Sequence, residues 1–290
     1  MTTYAITGAT GHLGRLVISA LLARNVKSSQ IVALARDPGK ASILLPKGVV
    51  VRLADYDKPE TLGPALAGID KLLLISANEV GRRLSQHRSV IEAAKQAGVK
   101  LVAYTSILRA DRSTISLATE HLETEKLLRA SGLPFVFLRN GWYIENYTAS
   151  LPAILEHKTQ IGGSGVGRIS AATRADYAEA AAAVLVSPAD QNGKIYELAG
   201  DISFTRYDFA AELSKQIGST IQYRDLAEAD FRAALETAGV PQPVATILAQ
   251  ADAAASLGEL YDQSGDLNAL IGRDTTPLST ALASALSQRA

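Results

Sequence analysis

With 290 residues, 47 % of them hydrophobic, the chain is long enough for one large α/β domain or a domain with a smaller lobe. Its 29 Lys and Arg balance 29 Asp and Glu, which argues against nucleic acid or an anionic membrane surface as a partner. There is no cysteine, which excludes disulfides, thiolate nucleophiles and Cys-ligated metals. The histidines, His12, His87, His121 and His157, show no HExxH-like spacing, so no metal is expected. No apolar run approaches the ~20 residues that span a bilayer. No charged-then-apolar leader precedes the first strand pattern, so a cytoplasmic protein is expected.

The first predicted strand, 4–7, runs straight into Gly8, Gly11 and Gly14, and Leu13, Leu16, Val17, Ala20 and Leu21 then keep the spacing of one helical face. Further strands are predicted at 31–35, 49–53, 71–75, 101–105 and 135–138. Most are continuous apolar runs, as in strands buried on both faces of a parallel sheet. Helical patterns separate them; Val90, Ile91, Ala94 and Ala97 mark one apolar face, and Gly98 and Gly132 stand where helices need a left-handed cap. Such alternation predicts an α/β fold of the Rossmann type, a doubly wound parallel sheet with right-handed crossovers. After Asn140 the rhythm changes: a glycine-rich "IGGSGVGRIS", an Ala-rich helix at 176–186, a strand at 194–198, then helical patterns at 207–217, 228–237 and 243–255. Residues 1–140 are expected to form the nucleotide-binding domain. Residues 141–290 are expected to form a smaller, mostly helical lobe, interleaved with that core.

The glycines read G-x-x-G-x-x-G behind a strand and ahead of an amphipathic helix. That context suits a dinucleotide pyrophosphate: sharp turn, close backbone approach, tight helix packing, and a helix N-terminus aimed at the phosphates. Thr10 adds a hydroxyl. NAD sites usually carry an acidic residue after the second strand; here Arg36 stands there, a planar fork suited to a 2′-phosphate, with Lys40 one turn on. Asp37, followed by Pro38, reads as the start of a helix. NADP(H) is therefore expected over NAD(H).

Many dehydrogenases of this architecture place a tyrosine four residues before a lysine. None of the ten tyrosines here has a lysine at that distance, and Leu122 stands four residues before Lys126. Hydride transfer to a ketone makes an alkoxide, whose conjugate acid has a pKa near that of water, ~15.7, and calls for a general acid. A quinone becomes phenolate-like, with a pKa near ~10. A quinone or similar electron-poor acceptor therefore tolerates the loss of the pair. Glu120, Glu123 and Glu125 around His121 and Lys126 favour a surface lattice of charge pairs over a catalytic role.

"TGATGHLG", "ALARDPGKA", "LLLIS", "AAKQAGVKLVAYTS", "LRNGWYIENY", "ATRADYAEAAAAVL", "KIYELAG" and "LAEADFRAAL" together resemble the NmrA-like branch of atypical short-chain dehydrogenases. Within that branch the order is most similar to the flavin-free bacterial NADPH:quinone oxidoreductases, with triphenylmethane dye reductases nearby. The resemblance implies NADPH as cofactor and a small quinone-like molecule as substrate. It implies that Gly8, Ala9, Thr10, Gly11, His12, Leu13 and Gly14 hold the pyrophosphate and Arg36 the 2′-phosphate. Ser76, Ala77 and Asn78 should line the groove. Asn140, Gly141, Trp142 and Tyr143 should reach the nicotinamide side, with Arg174 as a polar anchor. Trp142 and Tyr143 suit equally an aromatic wall and lobe packing, and Asp176 reads as a helix cap. If a side chain donates a proton, the candidates are Tyr143 and Lys126. A nucleotide-sensing regulator, or a reductase of carbonyls or enones, remains an alternative.

Overall fold

The computed structural model describes residues 1–79 and 81–288. The chain divides into two compact units: Met1–Ala110, Thr119–Asn140 and Arg174–Tyr196 form the first, and Asp111–Ala118, Gly141–Thr173 and Glu197–Ala290 the second. The division is thus not a single cut after residue 140, because Arg174–Tyr196 returns to the first unit.

The chain begins with β1 (Tyr4–Ile6), α1 (His12–Ala23), β2 (Ile31–Ala35), α2 (Pro38–Leu44), β3 (Val50–Leu53), α3 (Leu62–Leu66) and β4 (Lys71–Leu74). It continues through α4 (Arg83–Gln96), β5 (Leu101–Ile107), α5 (Ser116–Ser131) and β6 (Phe135–Asn140). Next come α6 (Glu145–Thr148), α7 (Leu151–His157), β7 (Thr159–Gly162), α8 (Arg174–Val186) and β8 (Lys194–Leu198). The chain closes with α9 (Arg206–Ile217), β9 (Gln222–Asp225), α10 (Glu228–Thr237), α11 (Gln242–Ser256), α12 (Asp266–Ile271) and α13 (Leu278–Ser287).

The main sheet has the order β3-β2-β1-β4-β5-β6-β8, and neighbours from β3 to β6 run parallel. β1, β2 and β5 are buried along their whole length, as strands covered on both faces must be. The expected doubly wound fold is therefore present. The order reverses between β1 and β4, so the crevice such sheets offer to ligands opens at the carboxyl ends of those two strands. α1 packs against α8, whose run of small Ala side chains is almost wholly buried. Gly98 and Gly132 take φ values of +71° and +78°, the left-handed caps expected after α4 and α5.

The surface charge lattice expected on α5 is corrected. Lys126 does make an exposed pair with Glu123, 2.7 Å away. But His121 and Glu125 are buried, because with Ala118 and Leu128 they occupy the inward face of the helix at three-to-four spacing. His121 Nδ1 lies 2.8 Å from the Tyr104 hydroxyl on β5. The Glu125 carboxylate accepts from Ser106 Oγ at 2.7 Å and from Arg139 Nε and Nη2 at 2.9 and 2.8 Å. Polar residues on a core face are legible only as partners, and their partners lie on other strands.

In the second unit, β7 and β9 pair in parallel, two short strands not expected from sequence. Trp142, Tyr147, Phe204 and Phe209 belong to its apolar core. The "IGGSGVGRIS" segment packs there too: a Cβ at Gly162 would sit 2.7 Å from Asp252 Oδ2, and one at Gly167 would collide with the Ala255 carbonyl. Asp252 is buried and pairs with buried Arg206 at 2.7 Å. These glycines therefore serve close packing on α11.

Two predictions follow from the first unit. Glu125→Ala, which removes the carboxylate that accepts two hydrogen bonds from the buried Arg139 guanidinium, should lower the unfolding free energy by about 3–5 kcal/mol. In the same urea titration Lys126→Ala should change it by less than about 0.5 kcal/mol. Burial, then the Arg83 charge, pushes His87 down to about 3 and holds His121 well below its ordinary value. The unfolded chain therefore takes up protons below about pH 6.5 that the fold refuses. Stability should be full above that pH and fall toward pH 3, by about 1.4 kcal/mol per unit for each histidine. An equally steep decline in a His87→Gln, His121→Gln double variant would place the acid sensitivity elsewhere.

Candidate cofactor site

β1 is followed at once by Thr7, whose buried hydroxyl donates to the Leu73 carbonyl and accepts from the Ile75 N–H at 2.8 Å. The chain then turns at Gly8 with φ +55°, a conformation that favours glycine. The Gly8 carbonyl accepts from Gly11 N–H at 2.9 Å. A Cβ on Gly14 would fall 2.4 Å from that carbonyl oxygen and 2.8 Å from Ala9 Cα, so only glycine lets α1 start this close to the loop. Gly11 is the N-cap of α1; it offers no capping side chain, and no acidic residue stands in the first turn. The positive end of this 12-residue helix thus has no capping side chain and no acid in its own first turn. Ala9 and Leu13 turn their side chains into the core, while Gly11 and His12 are exposed and Thr10 half-exposed. What Ala9 and Leu13 can present to a ligand is therefore backbone.

Arg36 follows β2 directly, its side chain 72 % exposed, with Nη1 3.6 Å from a Glu79 carboxylate oxygen. The adjacent carboxylate is committed elsewhere: Asp37 caps α2 by accepting the Lys40 N–H at 3.0 Å. Between a cap and an exposed guanidinium, the second is the group available to a ligand. It suits a 2′-phosphate through paired charge-assisted hydrogen bonds.

Beyond β4 three consecutive amides are tied to side chains. Ile75 N–H donates to Thr7 Oγ1 at 2.8 Å, Ser76 N–H to Thr105 Oγ1 at 2.9 Å, and Ala77 N–H to His87 Nε2 at 3.0 Å. The Ala77 carbonyl accepts from Arg83 Nε at 2.8 Å. Arg83 also pairs with Glu120 at 2.6 Å, and the same carboxylate accepts the Gly81 N–H at 2.7 Å. The tautomer of His87 follows from its partners. Thr124 gives its hydroxyl proton to the Glu120 carbonyl at 2.9 Å, so His87 Nδ1, 3.0 Å away, donates to Thr124 and Nε2 is the acceptor. Sequence reading missed these supports. One signal was present: the apolar face of α4, extended back from Val90 by three, four and seven residues, reaches His87, Gln86 and Arg83, all buried.

The remaining expected site residues are dispersed between the units. Asn140, the buried last residue of β6, and Arg174, the half-buried first residue of α8, belong to the first. Gly141, Trp142 and Tyr143 belong to the second. There Trp142 packs in the core, and half-buried Tyr143 forms a backbone bridge to Ala172. Asp176 lies buried within the first turn of α8, so it does not occupy the cap position expected of it. Among the described residues no cluster of His, Asp and Glu is placed to hold a metal ion. None of the described helices is long and apolar enough to cross a membrane.

Comparison with known proteins bears on this site. Residues 8–188 match the model of an NAD(P)H-binding family. Quinone oxidoreductase 2 of Escherichia coli is 55 % identical over 278 residues, 96 % of each chain. The crystal structure of the E. coli NADPH-dependent quinone oxidoreductase, complexed with NADPH, superposes with a TM-score of 0.94 at 53 % identity. It covers 98 % of this chain and 100 % of that one. The triphenylmethane reductase of Citrobacter sp., complexed with NADP(H), gives 0.93 at 39 % identity, covering 98 % of this chain and 100 % of that one. The glycine loop and the residues following β2 and β4 all lie within the matched segment, and this chain belongs to the NAD(P)H-binding, NmrA-like family.

Proposed function

We propose that this protein is a cytoplasmic NADPH-dependent oxidoreductase that reduces a quinone, or a similar electron-poor conjugated acceptor, without flavin. The likeness to the E. coli quinone oxidoreductase along nearly the whole of both chains carries the reading. Bound NADPH supplies a hydride from its nicotinamide. The chain's residues hold and orient: the glycine loop of residues 8–14 and the N-terminus of α1 take the pyrophosphate, and Arg36 takes the 2′-phosphate. Ser76, Ala77 and Asn78 form one wall, while Asn140, Gly141 and Arg174 serve the nicotinamide side. The second unit is the substrate lobe. Orientation of donor against acceptor supplies much of the rate. Trp142 supports that lobe from its core. Tyr143 is the proton donor to be tested; Lys126, exposed and paired with Glu123, stands outside the reaction.

Purified protein should oxidise NADPH with quinones and triphenylmethane dyes and show no flavin absorbance. Turnover confined to ketones, or NADPH binding with no turnover across that panel, would replace the reading by a carbonyl reductase or a sensor. Arg36→Ala should raise the KM for NADPH about tenfold or more, the scale of lost charge-assisted hydrogen bonds, and leave that for NADH within about twofold. Equal effects on both would remove Arg36 from the 2′-phosphate site. Tyr143→Phe should lower kcat, whereas Lys126→Ala should leave it unchanged.

A further inference from the structure

Ala77 is held at both of its backbone polar groups by α4. Its N–H donates to His87 Nε2 at 3.0 Å and its carbonyl accepts from Arg83 Nε at 2.8 Å. Both side chains are buried. His87 is itself oriented, through Nδ1, by Thr124 on α5 at 3.0 Å. Its ring stands edge-on to those of Tyr104 and Tyr56, with centroids 5.4 and 6.4 Å away. A histidine so enclosed cannot reach a ligand. What it fixes is the backbone: donor and acceptor of Ala77 are both committed to side chains of α4.

We propose that His87 is a positioning residue for NADPH. Acting as a fixed acceptor for the Ala77 N–H, it holds the 76–78 segment in its cofactor-receiving shape before the cofactor arrives. The proposal rests on the reading that this segment lines the NADPH groove. Without the acceptor, the Ala77 amide must turn toward water or stay unpaired. NADPH binding then bears the cost of reordering the segment. Chemistry at the nicotinamide, once the complex has formed, is left alone. The effect therefore falls on affinity and not on kcat.

The test compares His87→Leu, which removes the acceptor, with His87→Gln, whose amide oxygen reaches a similar point while its NH2 serves Thr124. NADPH affinity is measured by titration, kcat at saturating NADPH, and amide hydrogen exchange over residues 72–79 with and without NADPH. The leucine variant should bind NADPH about tenfold more weakly, the scale of one buried hydrogen bond, with kcat within about twofold of wild type. It should also exchange faster at 72–79 in the absence of cofactor. Glutamine should restore affinity to within about threefold. Wild-type affinity in the leucine variant, or an equal loss in both, would overturn the proposal. Should the leucine variant not fold, Thr124→Val, which releases Nδ1, must weaken NADPH in the same direction; wild-type affinity there would be equally fatal. Exchange at 72–79 that NADPH fails to slow in the wild type would show that the segment is not the cofactor wall, and both readings would fall. Slowing in the wild type with unchanged affinity in the variants would sink the positioning role alone.

Discussion

Three consecutive amides beyond β4 have no strand left to pair with, and the first unit answers each with a side chain. Thr7 comes from the end of β1, Thr105 from β5 and His87 from α4. A parallel sheet leaves such groups wherever a strand runs past its neighbour's ladder, and a buried amide without a partner costs about 1–3 kcal/mol. Loops elsewhere give these groups to water. Here they are given to fixed acceptors at the switch point of the sheet, where a mobile loop would have to be ordered each time a ligand bound. Thr7 is central, because its hydroxyl both donates to Leu73 and accepts from Ile75. It clamps β1 to β4 one residue before the glycine turn.

The charges of the first unit are divided between its core and its crevice. Inside, Arg139 is matched by Glu125, and Arg83 by Glu120. Between these pairs the histidines stay neutral, since burial and the Arg83 charge both oppose protonation. At the crevice the balance differs. α1 opens without an acidic residue, and Arg36 projects from the end of β2. An anionic ligand therefore meets a helix end with no acid in its first turn and an exposed guanidinium paired only at 3.6 Å with the half-exposed Glu79, while the pairs inside are closed at 2.6–2.8 Å.

What the sequence made legible was local. β1 to β6 appear within two residues of their predicted ends; β1, β2 and β5 are covered on both faces and carry unbroken apolar runs, whereas β3, at the sheet edge, shows only as the short run of Val49, Val50 and Val51. The glycine loop and Arg36 were legible for the same reason, each defined by its immediate neighbours in the chain. β7 and β9 were not. "TQIG" and "QYRD" are short, polar and remote from each other in the chain, so neither periodicity nor composition marks them. His121 and Glu125 were misread because they look like members of a surface charge lattice until Tyr104, Ser106 and Arg139 are seen opposite them. Thr7, Thr105 and His87 were invisible for a stricter reason: each is paired with a backbone amide, and a backbone amide leaves no trace in a residue code.

The buried polar groups also bear on the chemistry. Tyr104 and His121 form a tyrosine–histidine couple in the same unit as the glycine loop. It could be mistaken for a substitute for the absent tyrosine–lysine pair. Its environment says otherwise. Tyr104 is sealed from solvent, and burial pushes its hydroxyl to a higher pKa, the opposite of what a lysine does for a catalytic tyrosine. His121 is held neutral beside it and lends no charge to a tyrosinate, and the Arg83 charge is outweighed by burial. The couple braces β5 against α5 and does not deliver protons. A reductase so arranged is best matched to acceptors whose reduced oxygen leaves as something near a phenolate, with a pKa about 6 units below that of an alkoxide's conjugate acid, or about 8 kcal/mol less to be supplied by an acid. The buried Tyr104, His121 and His87 can then serve to brace the segment beyond β4, because the reaction does not require these enclosed groups to move a proton.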